Sequence, residues 1–207
     1  MTATLLVFLK HPTPGKVKTR LAAVIGAQAA AALYSQWITQ VLEQLQSLRP
    51  LVRLVACYTG GEATAYAPWH RLVDDWWEQA PGDLSIRLAT AFTLAHQVGR
   101  PVLAIGTDCL EIEEGLVKDA LSALEGHDAV FGPAIDGGYY LVGTSRPLLG
   151  FFDGIRWSTS HTLADSLACC HRHGWTTRLL PPCQDIDTWA DWQAYCQRAG
   201  SKDHRRC

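Results

Sequence analysis

A short basic segment follows the first apolar run of the chain. Residues 9–21 (LKHPTPGKVKTRL) carry four cationic side chains, those of Lys10, Lys16, Lys18 and Arg20. Pro14 stiffens this segment, and Gly15 permits a tight backbone path. The cations and the backbone N–H groups that follow can converge on a phosphate chain. We therefore predict a polyphosphate site here, with a solvated basic loop as the alternative.

The sequence of this segment differs from two common phosphate-binding motifs. It matches neither GxxxxGK[ST] nor GxGxxG, so neither a P-loop nucleoside triphosphatase nor a classical dinucleotide-binding fold is supported.

A carboxylate follows a second apolar run, at residues 104–112 (AIGTDCLEI). Asp108 lies directly after the predicted strand, where it could meet a divalent cation that bridges two phosphates, because hard cations prefer oxygen ligands. We predict that Asp108 binds Mg²⁺ or Mn²⁺. Its alternative role is to form a turn.

A later acidic segment could complete the same metal site. Residues 184–192 (QDIDTWADW) contain two candidate ligands, and we favour Asp187 over Asp185. Asp187 followed by Thr188 would also suit the start of the final helix, and both roles can hold together.

A glycine pair precedes two tyrosines in residues 132–143 (GPAIDGGYYLVG). Adjacent glycines let backbone approach a bulky group, and Asp136 offers an acceptor for sugar hydroxyls or a second cation. We predict an acceptor-binding site formed by Asp136, Gly137, Gly138 and Tyr139. An ordinary hairpin, which also favours Asp-Gly, is the alternative.

The elements that must position these residues alternate along the chain. Short runs rich in Val, Leu and Ile alternate with stretches of helical period, which is typical of a layered α/β domain. The predicted strands cover 4–9, 52–59, 101–106, 128–132, 139–143 and 175–180, and the predicted helices 27–48, 85–97, 113–125, 160–172 and 188–199. Ligands of open α/β sheets bind where loops leave the carboxyl ends of strands, which is where the segments above lie. We expect one domain over residues 1–200 and a solvated tail at 201–207.

Composition limits the classes of partner. Eighteen Lys and Arg against 20 Asp and Glu give a formal net charge of −2, so the chain has no general attraction to nucleic acid. It shows no apolar run long enough to span a membrane and no signal-peptide pattern at its N-terminus. We expect a cytoplasmic protein with no nucleic-acid or membrane partner.

Six ordered motifs resemble one known family. They are FLKHPTPGKVKTRLA (8–22), GDLSIRLATAF (82–92), GTDC (106–109), GPAIDGGYYLVG (132–143), IRWSTS (155–160) and DIDT (185–188). Together they resemble the bacterial glycosyltransferase-like proteins of the DUF2064 type, in the nucleotide-diphospho-sugar transferase (GT-A) superfamily.

The resemblance implies a three-layer α/β/α sandwich around a mostly parallel (mixed) sheet. It also implies a nucleotide at the first loop and a divalent metal on Asp108, shared by a late aspartate that matches Asp187. Asp83 and Arg87 would lie near the nucleoside. Two departures stand out, because Ser85 and Ile86 replace the usual glycine and glutamate of the second motif.

The predicted function is a metal-dependent transferase with Lys18, Arg20 and Asp108 as catalytic residues. Its substrates would be a nucleotide sugar or a nucleoside triphosphate and a small-molecule acceptor. Glycosyl transfer is favoured; nucleotidyl transfer with release of pyrophosphate is the alternative, and a non-catalytic nucleotide-binding protein is a third possibility. The sequence leaves the base, the sugar, the acceptor and the oligomeric state open.

Overall fold

The computed structural model describes residues 2–147 and 149–200. Its strands are β1 (Ala3–Lys10), β2 (Val52–Thr59), β3 (Asp75–Glu78), β4 (Val102–Gly106), β5 (Ala129–Pro133), β6 (Tyr139–Thr144) and β7 (Thr177–Leu179). Its α-helices are α1 (Thr19–Ile25), α2 (Ala27–Gln44), α3 (Leu84–Val98), α4 (Glu114–Gly126), α5 (Thr162–Arg172) and α6 (Trp189–Gly200). Two 3₁₀ segments, Gln46–Leu48 and Ala63–Leu72, complete these elements.

The seven strands form one sheet in the order β3-β2-β1-β4-β6-β5-β7. All pairings are parallel except those of β6, which runs antiparallel to both β4 and β5. The predicted α/β fold with a mostly parallel, mixed sheet is thus confirmed. Strands β1 and β4 are adjacent in the sheet. The basic segment follows the carboxyl end of β1, and the segment that carries Asp108 follows the carboxyl end of β4.

Two hydrophobic clusters cover the two faces of the sheet, because successive side chains of a strand point to opposite faces. Leu5 and Val7 of β1 pack with buried residues of α2 and α4, whereas Leu6 between them packs with buried residues of α3 and α5. Helices on both faces of one sheet give the three layers that were predicted.

One α-helix, one strand and the 3₁₀ segment Ala63–Leu72 were not predicted. Helix α1 has seven residues and buries only Leu21, so its sequence has no helical repeat of apolar residues that could predict it. Strand β3 has four residues at the edge of the sheet and pairs only with β2. The first long helix ends at Gln44 rather than at residue 48, and a 3₁₀ turn follows it.

No helix within the described residues has the length and apolar character needed to cross a membrane. The predicted tail, 201–207, lies outside the described residues.

Candidate active site

Lys18 forms the centre of the candidate site. Its ammonium lies 2.9 Å from Oδ1 of Asp108 and 2.9 Å from Oδ1 of Asp187, and it donates a hydrogen bond of 2.6 Å to the carbonyl of Ile186. The Lys18 side chain is only 6% exposed, whereas the two carboxylates are close to half exposed. The ammonium also lies 5.4 Å from the ring centroid of Trp37 on α2. Lys18 is therefore a buried bridge between two carboxylates, not the exposed cation that a basic loop suggests.

The backbone and the charge of Lys18 are both unusual. Lys18 precedes α1 in the left-handed conformation, with φ 44° and ψ 48°, which L side chains rarely adopt. Burial acts to lower the pKa of Lys18, but the nearby carboxylates of Asp108 and Asp187 outweigh burial and raise the pKa above its ordinary value. Lys18 is thus held as a cation.

A cavity of about 280 Å³ opens beside Lys18 at the end of β1. It is lined by the four cationic side chains of the basic segment (Lys10, Lys16, Lys18 and Arg20) together with Val17, Thr19, Tyr34, Asp108 and Asp187. Lys16 is exposed, and the side chain of Arg20 is 77% exposed. We call this space the cationic cavity.

The remaining residues of the basic segment shape the loop. The ammonium of Lys10 donates a hydrogen bond of 2.8 Å to the carbonyl of Lys16, which closes the segment on itself. Pro14 and Gly15 form the exposed turn between them, and Gly15 has φ +77°, a value that favours glycine. Neither Pro14 nor Gly15 lines the cationic cavity.

Two aspartates from distant segments, Asp136 and Asp185, lie beside Asp108. The backbone of Cys183 forms a parallel bridge with Ala134, and the N–H of Ile186 donates to the carbonyl of Asp108 at 2.9 Å. These bonds bring Asp185 next to both Asp108 and Asp136. Asp185 receives no hydrogen bond from the residues described. Burial, followed by the charges of Asp108 and Asp136, raises the pKa of Asp185 to about 7.

A second cavity, of about 300 Å³, opens on this side of Asp108. Asp108, Asp136 and Asp185 line it, together with the rings of Tyr139 and Trp157. Other walls come from the ends of β1, β4 and β6, from Leu84 and Leu88 of α3, and from residues 158, 159 and 162. We call this space the acidic cavity. Asp108 lines both cavities and so lies at their boundary.

The segment predicted to bind the acceptor is the hairpin that joins the antiparallel strands β5 and β6. Gly138 N–H donates to Oδ1 of Asp136 at 2.9 Å, and Ala134 N–H donates to the carbonyl of Gly138 at 3.0 Å. The hairpin alternative is thus what the structure shows. Its residues Asp136, Gly138 and Tyr139 also line the acidic cavity, whereas Gly137 does not.

Gly137 has a packing role in this hairpin. Its φ is +91°, and a Cβ atom placed on it would lie 2.5 Å from the carbonyl oxygen of Ser160. Its own carbonyl accepts a hydrogen bond of 3.0 Å from the N–H of Leu163 in α5. The close approach of two backbones fixes the hairpin against the start of α5.

Asp187 and Asp191 have different tasks. Asp187 pairs with Lys18 and lies 3.7 Å from a guanidinium nitrogen of Arg20. Asp191 accepts bonds from the N–H and hydroxyl of Thr188, and its own N–H donates to the Thr188 hydroxyl. This reciprocal pattern is that of a capping box at the start of α6. Asp191 therefore orders the turn that presents Asp187.

The two residues predicted near the nucleoside lie outside both cavities. Asp83 precedes α3 and accepts a hydrogen bond of 3.0 Å from the N–H of Ile86, as an N-cap does. Arg87 donates to the carbonyl of Gly82 at 2.9 Å and lies near the side chain of Gln79. The neighbours Leu84 and Leu88, one residue after each, line the acidic cavity instead.

Trp157 in the wall of the acidic cavity and Ser85, its hydrogen-bond partner, were not predicted as site residues, although both lie in the motifs described above. The indole N–H of Trp157 donates to the hydroxyl of Ser85 at 2.7 Å, which donates in turn to the carbonyl of Phe152. Asp185 was considered and ranked below Asp187. The departure of Ser85 from the family pattern was the signal that could have pointed to its partner Trp157.

The carboxylates are compatible with a divalent cation. Within residues 2–147 and 149–200, no group of three or more His, Cys, Asp or Glu side chains is arranged to hold a metal by itself. Mg²⁺, however, is commonly held by one or two carboxylates together with substrate phosphates. Asp185, which receives no hydrogen bond from the described residues, lies beside Asp108 in the acidic cavity, and Asp108 also lines the cationic cavity. This donor set fits such a shared site.

The fold is similar to that of several solved structures. A putative nucleotide-diphospho-sugar transferase from Desulfovibrio desulfuricans G20 is 33% identical, with a TM-score of 0.90 over 100% of this chain and 91% of that chain. The 4-diphosphocytidyl-2C-methyl-D-erythritolsynthase from Anaerococcus prevotii DSM 20548 is 10% identical, with a TM-score of 0.61 over 95% and 99% of the two chains. Rv0371C from Mycobacterium tuberculosis H37Rv, in complex with manganese, is 15% identical, with a TM-score of 0.56 over 95% and 99%.

The last two likenesses, at 10% and 15% identity, concern the fold alone. No curated protein matches the chain. Residues 41–159 match the family described as "Uncharacterized protein conserved in bacteria (DUF2064)". With that match and the likeness at 33% identity along its whole length, the chain belongs to the DUF2064 family and has the fold of the nucleotide-diphospho-sugar transferases.

Proposed function

We propose that this protein is a divalent-metal-dependent transferase that moves a sugar from a nucleotide sugar to a small-molecule acceptor. The observation that carries the proposal is the pair of adjoining cavities that share Asp108, one lined by four cations and the other by carboxylates and aromatic rings. A nucleotide sugar has the same division, with an anionic diphosphate next to an uncharged sugar.

The cationic cavity suits the leaving diphosphate. Lys16 and Arg20 are exposed there and can stabilise the charge that develops as the bond between sugar and phosphate breaks. Lys18 is already paired with Asp108 and Asp187 and would act mainly by holding both carboxylates in place. Mg²⁺ or Mn²⁺, held by Asp108 with Asp187 or Asp185, would neutralise part of the phosphate charge.

The acidic cavity suits the sugar and the approach of the acceptor, past Asp136, Gly138 and Tyr139. We place the nucleoside beside the first turns of α3, near Leu84 and Leu88. For Arg87 to contact the base, it would have to exchange its present bonds to Gly82 and Gln79, and Asp83 would have to give up its cap. These two residues therefore support the nucleoside site indirectly.

Nucleotidyl transfer is the second candidate. Its support is the cationic cavity, which would equally hold a triphosphate, together with the fold shared with the 4-diphosphocytidyl-2C-methyl-D-erythritolsynthase. The two reactions differ in their products, because glycosyl transfer releases a nucleoside diphosphate and nucleotidyl transfer releases pyrophosphate. A non-catalytic nucleotide-binding protein would release neither.

The first prediction concerns binding in the cationic cavity. A thermal-shift panel of nucleoside triphosphates and nucleotide sugars, with and without Mg²⁺, identifies the ligand, because a ligand that binds the native state raises its stability. Arg20→Gln should weaken binding of that ligand about tenfold, or ~1.4 kcal/mol. Arg172→Gln, at the exposed end of α5, makes the same change of net charge and should leave affinity intact.

The next measurement identifies the products that the protein forms from the ligand that bound. Nucleoside diphosphate without pyrophosphate supports glycosyl transfer, and pyrophosphate supports the second candidate. Equal affinity in the Arg20 and Arg172 variants would contradict the placement of the phosphates.

A further inference from the structure

The acidic cavity differs from the cationic cavity in the sign of its charge. Of the residues that line it, three carry carboxyl groups (Asp108, Asp136 and Asp185), and none is a lysine, arginine or histidine. The cationic cavity on the other side of Asp108 has four basic side chains. An anionic group and an uncharged group would therefore be sorted to different sides of Asp108.

The aromatic wall of the acidic cavity is held in a fixed position. The rings of Tyr139 and Trp157 have centroids 6.0 Å apart and lie at 75° to each other. Trp157 is anchored through Ser85 to the carbonyl of Phe152, with two hydrogen bonds of 2.7 Å. An apolar wall beside a few polar acceptors is the usual construction of a small-molecule pocket, in which the polar groups set orientation.

The carboxylates of this cavity complement hydroxyl groups and oppose anions. An ionised carboxylate only accepts hydrogen bonds, so it pairs with hydroxyl donors but not with a phosphate or another carboxylate. A fixed charge of the same sign as an unwanted ligand is a common means of rejecting that ligand. Asp136 is the determinant of this kind, because it is not among the candidate metal ligands Asp108, Asp185 and Asp187 and no basic side chain of the described residues pairs with it.

We propose that the acidic cavity selects an uncharged, hydroxyl-rich group of about the size of a monosaccharide and rejects phosphorylated or carboxylated groups, with Asp136 as a specificity-determining residue. The inference rests on the proposed function of the same site. It extends that function by naming the class of group bound, which is a neutral sugar or polyol and not a phosphorylated small molecule.

Ligand-observed saturation-transfer NMR in the presence of Mg²⁺ tests this inference with methyl α-D-glucoside and glucose 6-phosphate as probes. We expect saturation transfer to the glucoside, and its loss in Trp157→Ala. Any glucose 6-phosphate signal should survive Trp157→Ala, because that probe would bind in the cationic cavity. Adding a nucleotide sugar that binds should displace the glucoside if the sugar belongs to the donor, and should leave it bound if it occupies an acceptor position.

The charge of Asp136 is tested with two variants. Asp136→Asn removes the charge but keeps an oxygen acceptor for the N–H of Gly138 and so preserves the hairpin. Asp136→Lys inverts the charge and loses that acceptor. The lysine variant should bind glucose 6-phosphate roughly tenfold more tightly than wild type in a Trp157-dependent way, and the asparagine variant should fall between them. Circular dichroism verifies that each variant is folded.

Two results would overturn the inference. One is Trp157-dependent binding of glucose 6-phosphate to the wild type as strong as that of the glucoside. The other is the absence of any glucoside signal. If nucleotides still bind and the Arg20 variant still weakens them, only the sugar assignment fails; if nucleotide binding is also absent, the proposed function fails with it.

Discussion

At the scale of single residues, Lys18 links the folding of the site to its charge. A lysine is rarely buried unless it is paired, and this one has two carboxylate partners and a carbonyl acceptor. Removal of one partner from a buried ion pair costs more than the pair contributes, because the remaining charges lose their compensation. The side chain therefore has a structural role that must be separated from any role in binding.

We predict that Lys18→Met lowers the free energy of unfolding by about 1.5–3 kcal/mol, the range for hydrogen bonds to charged groups. The pKa of Lys18 is raised in the folded state, so its stabilisation is present at pH values below the ordinary lysine pKa and is lost as pH rises through the elevated folded pKa. Urea unfolding should thus show a difference in the free energy of unfolding between variant and wild type at pH 8, and a smaller difference at strongly alkaline pH.

Lys118→Met is the matched control for this prediction. Lys118 lies on α4 and is half exposed, with an i,i+4 ion pair to Glu114, which contributes little. If Lys18→Met and Lys118→Met had the same stability at pH 8, Lys18 would not be the bridge that the structure describes.

At the scale of elements, the hairpin between β5 and β6 positions Asp136 and Tyr139. Its turn touches the segment before α5 through Gly137, so the strands and the helix fix each other. This contact explains why two adjacent glycines occur there without both approaching a ligand. Gly137 is needed for packing, whereas Gly138 lines the cavity.

We predict that Gly137→Ala destabilises the protein far more than Gly138→Ala. A Cβ atom at Gly137 would overlap the backbone of Ser160 and would require a left-handed φ, whereas at Gly138 it would meet only the Asp136 side chain, at 3.1 Å. The cost at Gly137 should be at least about 2 kcal/mol, since both strain and a displaced backbone contribute.

Thermal unfolding of the two alanine variants measures this difference. Equal melting temperatures would show that the hairpin tolerates a side chain at Gly137. The close contact with Ser160 would then contribute nothing to stability.

At the scale of the whole molecule, the acidic cavity is assembled from three segments far apart in sequence. Asp108 follows β4, Asp136 lies in the hairpin, and Asp185 follows β7; backbone bonds at Ala134, Cys183 and Ile186 hold them together. Carboxylates brought together in this way repel one another. The fold thus loses stability at the cavity that we propose as a binding site.

We predict that Asp185→Asn stabilises the metal-free protein at pH 8 and leaves it unchanged at pH 4. The pKa of this acid is raised to about 7 in the folded state by burial and by Asp108 and Asp136. Its ionised form is therefore disfavoured in the folded protein, and the penalty grows as pH rises from near 4 to 7. The gain should not exceed about 4 kcal/mol, which is the free energy of a three-unit shift.

Urea unfolding with a chelator present measures this gain, and Asp119→Asn on α4 is the control with the same change of charge. Addition of Mg²⁺ should reduce the difference in the free energy of unfolding between Asp185→Asn and wild type, because the metal stabilises the wild type more than the variant. A less stable Asp185→Asn protein at pH 8 would contradict the view that the three carboxylates repel one another.

All strands except β3, the long helices and the three segments of the site could be predicted because each leaves a local signal. Apolar runs marked β1 and β4, and Asp108 followed a strand in the way a ligand-binding residue does. The burial of Lys18 could not be predicted from a local signal, since it depends on Trp37 and on residues 186 and 187, which are distant in sequence. For the same reason the ion pair between Lys18 and Asp187 could not be predicted. The preference for Asp187 over Asp185 as a metal ligand stays a prediction.

The bond between Ile186 and Asp108 also has a consequence for how the protein is made. A chain leaves the ribosome from its N-terminus, so the basic segment and Asp108 emerge well before residues 183–187. Until those residues add beside the hairpin, Lys18 lacks one of its carboxylate partners and Asp185 is absent from the cavity. The candidate site is therefore complete only when synthesis has passed residues 183–187.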